Sequence, residues 1–342
     1  MQTLGNILIV VLALAFLVVK TDYKGRFIIW GAIGVALALM PLVIDSDYWL
    51  TTMFLIFIYI VTAQAFNIMT GYTGQVLMGQ SSFFGMGALV TRLLWAGYPA
   101  WGIDPYPIWV ALPVGALASV ALAAIIGLPT LRLKGAYFAI GTLGMAIAML
   151  VTVRSVIPGV SFLPQADLVN YNLEIRYYFA LVLAALTIFA VYWLAKSRSG
   201  LALTAIREDE DAAASSGVST FKYKVISLFM ATFIAGLAGG VFSYYIPSTY
   251  FYTPFNLTWS LEPLMIGFIG GVGSVVGPTS AAAIFVALKE LFSGTVGEVS
   301  VLIFGILFIL VVLFLPGGLV ELGAKIRKVL TRIITGRQIE PG

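Results

Sequence analysis

The stretch Tyr177–Ala195, YYFALVLAALTIFAVYWLA, decides the fold class. It runs 19 residues without a charge, close to the roughly 20 that a helix needs to cross a hydrocarbon core of about 30 Å. A membrane β-strand would show a segment of about 10 residues with alternating polarity, whereas this run is apolar on every face. Only a helix satisfies all backbone groups of such a segment internally, so the run reads as a transmembrane helix and the chain as an all-α polytopic membrane protein.

The composition extends that reading to the whole chain. With 61% hydrophobic and only 10% charged residues among 342, there is too little polar surface to cover a soluble globule of this size. The absence of Cys excludes disulfides and thiolate sites. The absence of His removes the usual general base and the usual metal ligand. The net charge of +4 reads first as a topology signal rather than as a nucleic-acid footprint. Met1–Val19 lacks a basic n-region and a small-residue cleavage site, so it is taken as a retained span rather than a signal peptide.

Hydropathy divides the chain into about eleven segments, at 3–19, 27–44, 48–70, 76–95, 106–128, 136–157, 177–195, 225–246, 262–275, 277–294 and 299–315. With the N-terminus outside and the C-terminus cytoplasmic, the inner loops collect 15 of the 19 basic residues. The other four, Arg92, Arg154, Arg176 and Lys289, fall near outer ends and read as interfacial anchors, as do Glu262 and Glu290. The ninth and tenth segments are equally compatible with two re-entrant half-helices meeting at Gly277-Pro278. The expected organisation is one transmembrane domain over residues 1–320 with a basic cytoplasmic tail at 321–342.

Setting the first span aside leaves five segments on each side, and an odd number forces the halves, 27–157 and 177–315, into opposite orientation. That is the arithmetic of an inverted repeat, a 1 + 5 + 5 layout. The third segment of each half is the glycine-rich one: Gly79, Gly85 and Gly87 in the first, Gly267, Gly270, Gly271 and Gly273 in the second. Such segments point to a mid-membrane solute path, and the same glycines serve close helix packing. The residues expected at depth are polar but neutral: Gln64, Asn67, Gln80, Ser81, Ser82 and Thr142, with Gly270 and Gly271. They fit a polar solute or interhelical hydrogen bonding. No carboxylate occupies the centre of a span, which disfavours an ion-gradient-driven transporter.

Residues 196–224 form a long polar interruption, placed in the cytoplasm by the charge count. Within it, Arg207-Glu208-Asp209-Glu210-Asp211-Ala212-Ala213-Ala214-Ser215-Ser216-Gly217 describes a short helix. Acids suit the positive N-terminal end, alanines favour helix, and Gly217 can take the left-handed position past the C-terminus. No Walker A sequence, no G-x-S-x-G and no H-E-x-x-H occurs, and without His no Ser-His-Asp triad can be built. A transport protein so equipped needs an external engine, and this loop is a place to receive it.

Asp211-Ala212-Ala213 followed by Gly217 resembles the E-A-A-x-x-x-G loop of ABC importer permeases, with Asp in place of Glu. Gly71-Tyr72-Thr73-Gly74-Gln75 with Gly79-Gln80-Ser81-Ser82-Phe83-Phe84-Gly85-Met86-Gly87-Ala88 is similar to the G-Y-x-G-Q and G-[HQ]-x-x-F-F-G-x-G-A signature of LivM-type permeases. The blocks Leu131–Leu143 and Ser260–Pro278 resemble two further blocks of that family, in the same order. The resemblance implies a permease subunit of a branched-chain amino acid ABC importer in the bacterial or archaeal inner membrane. It also implies a second homologous permease, two ATPase subunits that carry ATP and Mg, an extracytoplasmic solute-binding protein, and surrounding membrane lipid. No cofactor is expected in this chain. Residues Arg207, Glu208, Asp209, Glu210, Asp211, Ala212, Ala213 and Gly217 become the ATPase-coupling loop, and Ala213→Arg is expected to block coupling. Ile157–Pro164 departs from the family pattern, as do Gln80, Ser81 and Ser82, which leaves urea, short amides and small carboxylic acids as alternative substrates.

Overall fold

A computed structural model describes residues 34–42, 46–163 and 171–296, and near the C-terminus 305–306, 309–310, 313 and 317–322. The expected span at 3–19, most of that at 299–315 and the tail from 323 lie outside the described residues, and of the span at 27–44 only the helical stretch 34–42 is described. The chain forms two compact units, Ser46–Leu264 and Met1–Asp45 with Met265–Gly342.

The first unit is a helical bundle built around α1, Asp47–Asn67, which runs on through a π-helical turn at Ile68–Tyr72. Nearly all of this span is buried, so its sequence is apolar all round and lacks the one-sided stripe that marks a surface helix. Next come α2, Gln80–Ala96, α3, Ile108–Leu122, prolonged by a π turn and a last helical turn to Thr130, and α4, Ala136–Val156. The helix α5, Leu173–Lys196, is followed by α6, Arg198–Glu208, α7, Glu210–Ser215, and α8, Thr220–Tyr245. Among the described residues, five helical segments, Asp47–Tyr72, Ile108–Thr130, Ala136–Val156, Leu173–Lys196 and Thr220–Tyr245, are long and apolar enough to cross a membrane.

The run that decided the fold class shows why. Along α5, Tyr177, Ala180, Ala184, Thr187, Val191 and Leu194 are buried at helical spacing. The opposite face, Val182, Leu186, Phe189 and Trp193, is exposed and just as apolar. A helix whose outward stripe matches its core stripe belongs in lipid, where exposing Phe or Trp costs nothing.

Helix α2 is the centre of the packing: it meets α8 most extensively, then α3. A Cβ on Gly87 would run into the Gly236 backbone, and one on Gly239 into the Phe84 carbonyl. The Ser119 hydroxyl donates to the Phe83 carbonyl at 2.8 Å across the same junction. Small residues thus let three backbones touch where no hydrophobic force separates lipid from protein. Gly87→Val should therefore lower the unfolding temperature and membrane yield sharply, overpacking costing about 1–3 kcal/mol or more. Gly144→Val on α4, where a Cβ meets nothing within 4 Å, should leave both near wild type.

Two corrections concern segment limits. The fourth segment starts at Gln80 rather than 76, because Gly74–Leu77 is irregular, with Gly74 at φ +73°, and leads into the helix through a turn. The ninth and tenth segments are α9, Thr258–Gly270, and α10, Val276–Val296, and the break between them falls at 271–275. Pro278 sits in the first turn of α10, where its missing N–H has no helical partner to lose. With 13 residues α9 is about 20 Å long, short of a bilayer core. The described residues also depart from all-α: Val160–Phe162 pairs antiparallel with Ser248–Tyr250, and Tyr98 forms an isolated bridge with Ile103.

The ends of the bundle differ in character. At the hairpin end, Arg92 is 1% exposed and all five guanidinium donors are engaged. Its Nε donates to Ser161 Oγ at 2.8 Å, Nη1 to the Ser243 and Ile246 carbonyls at 2.8 and 2.9 Å, and Nη2 to the Ser161 and Pro247 carbonyls at 3.1 and 3.0 Å. Arg176 donates to the Tyr244 and Asn172 carbonyls, with its guanidinium 3.8 Å from the Tyr171 ring centre and 4.5 Å from that of Tyr244. The expected snorkelling anchors are, for these two residues, buried clamps on the C-terminal end of α8, whose carbonyls lack helical partners.

Within the second unit, Gly270 and Gly277 stand backbone against backbone, and a Cβ on either would collide with the other. Gly271, at φ +101°, packs against the Gly317 carbonyl. The Ser274 hydroxyl donates to the Gly271 carbonyl at 2.9 Å and accepts from Gly277 N at 3.1 Å, which fixes the break and caps α10.

Candidate functional site

The polar interruption folds as two helices, not one stub. Ser197 caps α6, accepting from Gly200 N at 3.1 Å, and α6 ends at Glu208. Asp209 has extended backbone and caps α7, its Oδ1 accepting from Asp211 N and Ala212 N at 2.9 Å each. Of the four acids, then, one closes α6, one is a cap and two sit in the first turn of α7, where the helix dipole favours them. At the far end Gly217 adopts φ +85°, with Gly217 N bonded to the Ala214 carbonyl at 3.0 Å and Val218 N to the Ala213 carbonyl at 3.1 Å. Those paired bonds are a Schellman motif, which needs the left-handed residue the sequence supplies.

Three contacts tie this loop to the ends of the spans. Arg207 Nη1 donates to the Gly71 carbonyl at 2.7 Å, at the end of Asp47–Tyr72. Lys224 Nζ, almost fully buried, lies 2.6 Å from Glu210 Oε2. Lys134, in the turn before α4, reaches Asp211 Oδ1 at 3.2 Å across an exposed surface. The Lys134 ammonium is held above the usual lysine range, first by that hydrogen bond and then by the charges of Asp211 and Glu210. Its contribution is present below lysine's ordinary value and lost only as pH rises through the raised one, so it is constant near neutrality. Exposed pairs of this kind contribute little to stability, because solvent screens them.

The Lys224–Glu210 pair is of another kind. Glu210→Gln strands a buried ammonium, and removing one partner of a buried pair costs about 3 kcal/mol. Hydrogen exchange should show α7 opening in that variant, and much less in Lys224→Met, where Glu210 retains access to water. Equal protection in both would remove the pair from the account.

Ala213 is buried inside the chain's own fold, whereas Glu208, Asp209, Asp211, Ala212, Ala214, Ser215 and Ser216 are exposed. The outward face is therefore Asp211, Ala212, Ala214 and Ser215. Ala213→Arg would disturb internal packing before it could block any partner.

The polar residues expected at depth are all buried: Gln64, Asn67, Gln80, Ser81, Ser82 and Thr142. Asn67 Nδ2 donates to Gln64 Oε1 at 3.2 Å along α1. Gln80 Nε2 donates to the Thr62 carbonyl at 2.7 Å, and Ser81 N to Ser260 Oγ at 2.8 Å, so the start of α2 is joined to both α1 and α9. Thr142 enters from α4, its carbonyl placed where a Cβ on Gly79 would stand. Gly270 and Gly271 belong to the second unit, as described above. Sequence reasoning missed two members of this region. Tyr59 donates to Glu262 and stacks on Trp259, which in turn stacks on Phe84 at 4.1 Å. Recurring aromatics at 59, 84, 242 and 259 were the available signal.

A bundle of apolar spans, with neutral polar groups buried within it and an exposed capped helix at one end, is the build of an integral membrane protein. The chain belongs to the family of branched-chain amino acid transport system permease components, whose family model matches residues 48–312. It is 29% identical to the high-affinity branched-chain amino acid transport system permease protein LivM of Salmonella typhimurium and 28% identical to LivM of Escherichia coli. Each alignment covers 78% of this chain and 68% of the relative. No solved structure matches the chain. It is thus an integral membrane permease subunit of an ABC importer and works with ABC transporter partners.

Proposed function

We propose that this chain, in the bacterial or archaeal inner membrane, translocates branched-chain or related small amino acids. It does so with a second homologous permease, two ATPase subunits that bind ATP and Mg, and an extracytoplasmic binding protein that delivers the solute. The observation that carries the mechanism is α7: a capped, outward-facing helix at one end of the bundle, bonded through Arg207, Lys134 and Lys224 to the ends of the spans. In this reading the ATPase grips Asp211, Ala212, Ala214 and Ser215, and its closure moves the span ends through those bonds, so that access to the buried polar groups alternates. The loop 196–224 is then cytoplasmic, with the N-terminus outside and the C-terminus inside. Eleven spans in a 1 + 5 + 5 inverted layout, within one domain over 1–320 and a basic tail at 321–342, support the path. The shortness of both α2 and α9, the third members of the two halves, favours that layout.

The test is uptake of labelled L-leucine by the full assembly in proteoliposomes. Uptake should require ATP inside and binding protein outside. Accumulation that followed an ion gradient and ignored ATP would overturn the reading.

A further inference from the structure

The first turn of α2 is the buried end of a 17-residue helix; Gly79 has no side chain to cap it, and Ser81 N is bonded instead to Ser260 Oγ from α9. Around it, Ser81 Oγ, Ser82 Oγ and Gln80 Oε1 are buried with no hydrogen-bond partner among the described residues, though all three residues are 0% exposed. Gln75 Oε1, on the irregular lead-in, is a fourth such atom. Leaving a polar atom unpaired in a low-dielectric interior costs about 1–3 kcal/mol, so four within eight residues mark a place kept for a polar visitor. Their chemistry is specific. Two hydroxyls able to donate sit at the positive end of a helix, a combination that receives an anion. The Gln80 amide nitrogen is committed to Thr62, so its carbonyl oxygen is the end left to accept. Phe84, one turn further along α2, is stacked on Trp259 and gives the site an apolar wall.

We propose that this turn is a solute subsite within the membrane: Ser81 and Ser82 hydroxyls donate to the carboxylate of an α-amino acid, and the Gln80 carbonyl oxygen accepts from its ammonium group. The inference rests on the transport reading above and narrows it, because urea and neutral amides lack the carboxylate that the helix end favours. It also makes this chain, and not the binding protein alone, a selective element.

Binding of labelled L-leucine to the complete permease–ATPase complex in nanodiscs, without binding protein, tests it by competition. Unlabelled leucine should compete about tenfold better than leucinamide or leucinol, which lack the carboxylate, each lost charged hydrogen bond being worth a decade or more. Ser81→Ala with Ser82→Ala should weaken leucine by about tenfold and erase that preference, while Ser82→Thr, which keeps the hydroxyl, restores it. Leucinamide competing as well as leucine, or a serine pair whose loss changes nothing, would overturn the subsite. So would an absence of leucine binding in a complex whose ATP-driven uptake is intact, an outcome that leaves the importer reading standing.

Discussion

Replacing Arg92 by Met should leave little folded protein in the membrane, a larger effect than at any other basic residue described. The side chain joins three segments, α2, the strand Val160–Phe162 and the end of α8, through five hydrogen bonds to neutral oxygens. Met fills much of the volume but takes the donor from the buried Ser243 carbonyl and the half-buried Ile246 carbonyl, a buried unpaired acceptor costing about 1–3 kcal/mol. Relief from burying the guanidinium offsets part of this, so a net loss of about 3 kcal/mol or more is expected. Arg92→Lys should recover a minority of it, since an ammonium has three donors and no planar fork. Arg154→Met is the control: its guanidinium is exposed, 5.3 Å from the Tyr252 ring centre, and contributes under about 1 kcal/mol. Thermal unfolding followed by fluorescence-detected size exclusion reads all three. A stable Arg92→Met protein would show that the clamp is dispensable.

Arg92 also marks where sequence reading stops. An arginine in an apolar segment near a span end is equally a snorkelling anchor or a buried clamp, and the difference lies in acceptors about 70 to 155 positions away. Features set by local chemistry were legible. Uncharged runs located the five described spans to within about five residues because a bilayer demands length and apolarity and little else. Gly217 was readable as the left-handed residue because a Schellman motif is made within one turn of chain. The division at Asp209 was not, since four neighbouring acids have the same local preferences and only the backbone path selects the one that caps. The burial of Ala213 was hidden for the same reason as the role of Arg92: it depends on how the loop lies across the bundle. The start of α2 was misplaced because Gly74–Leu77 is non-helical yet apolar enough to prolong a hydropathy window. The buried polar residues were found as a set, but their partners were not, because Thr62, Ser260 and Glu262 come from other helices.

The second large effect concerns α7, and it separates coupling from folding. Ala214→Arg places a long cation on the exposed face of a six-residue helix without touching its caps or the Lys224–Glu210 pair. The fold should be unaffected, as surface substitutions away from special features fall within about 0.5 kcal/mol. If this face seats in the ATPase, the guanidinium has no room there, and misfit at a tightly packed contact costs several kcal/mol, so leucine uptake should fall more than about 100-fold. ATP hydrolysis by the complex should persist at its basal rate but lose stimulation by loaded binding protein. Ala213→Arg should behave differently: with a buried Cβ, it lowers protein abundance and stability first, so lost uptake in that variant alone does not report on docking. Normal uptake in an Ala214→Arg protein present at wild-type levels would remove α7 from the coupling path and return the loop to a solvated linker. The contrast between adjacent alanines makes the test sharp, because helix geometry turns neighbouring side chains about 100° apart and only one of the two faces outward.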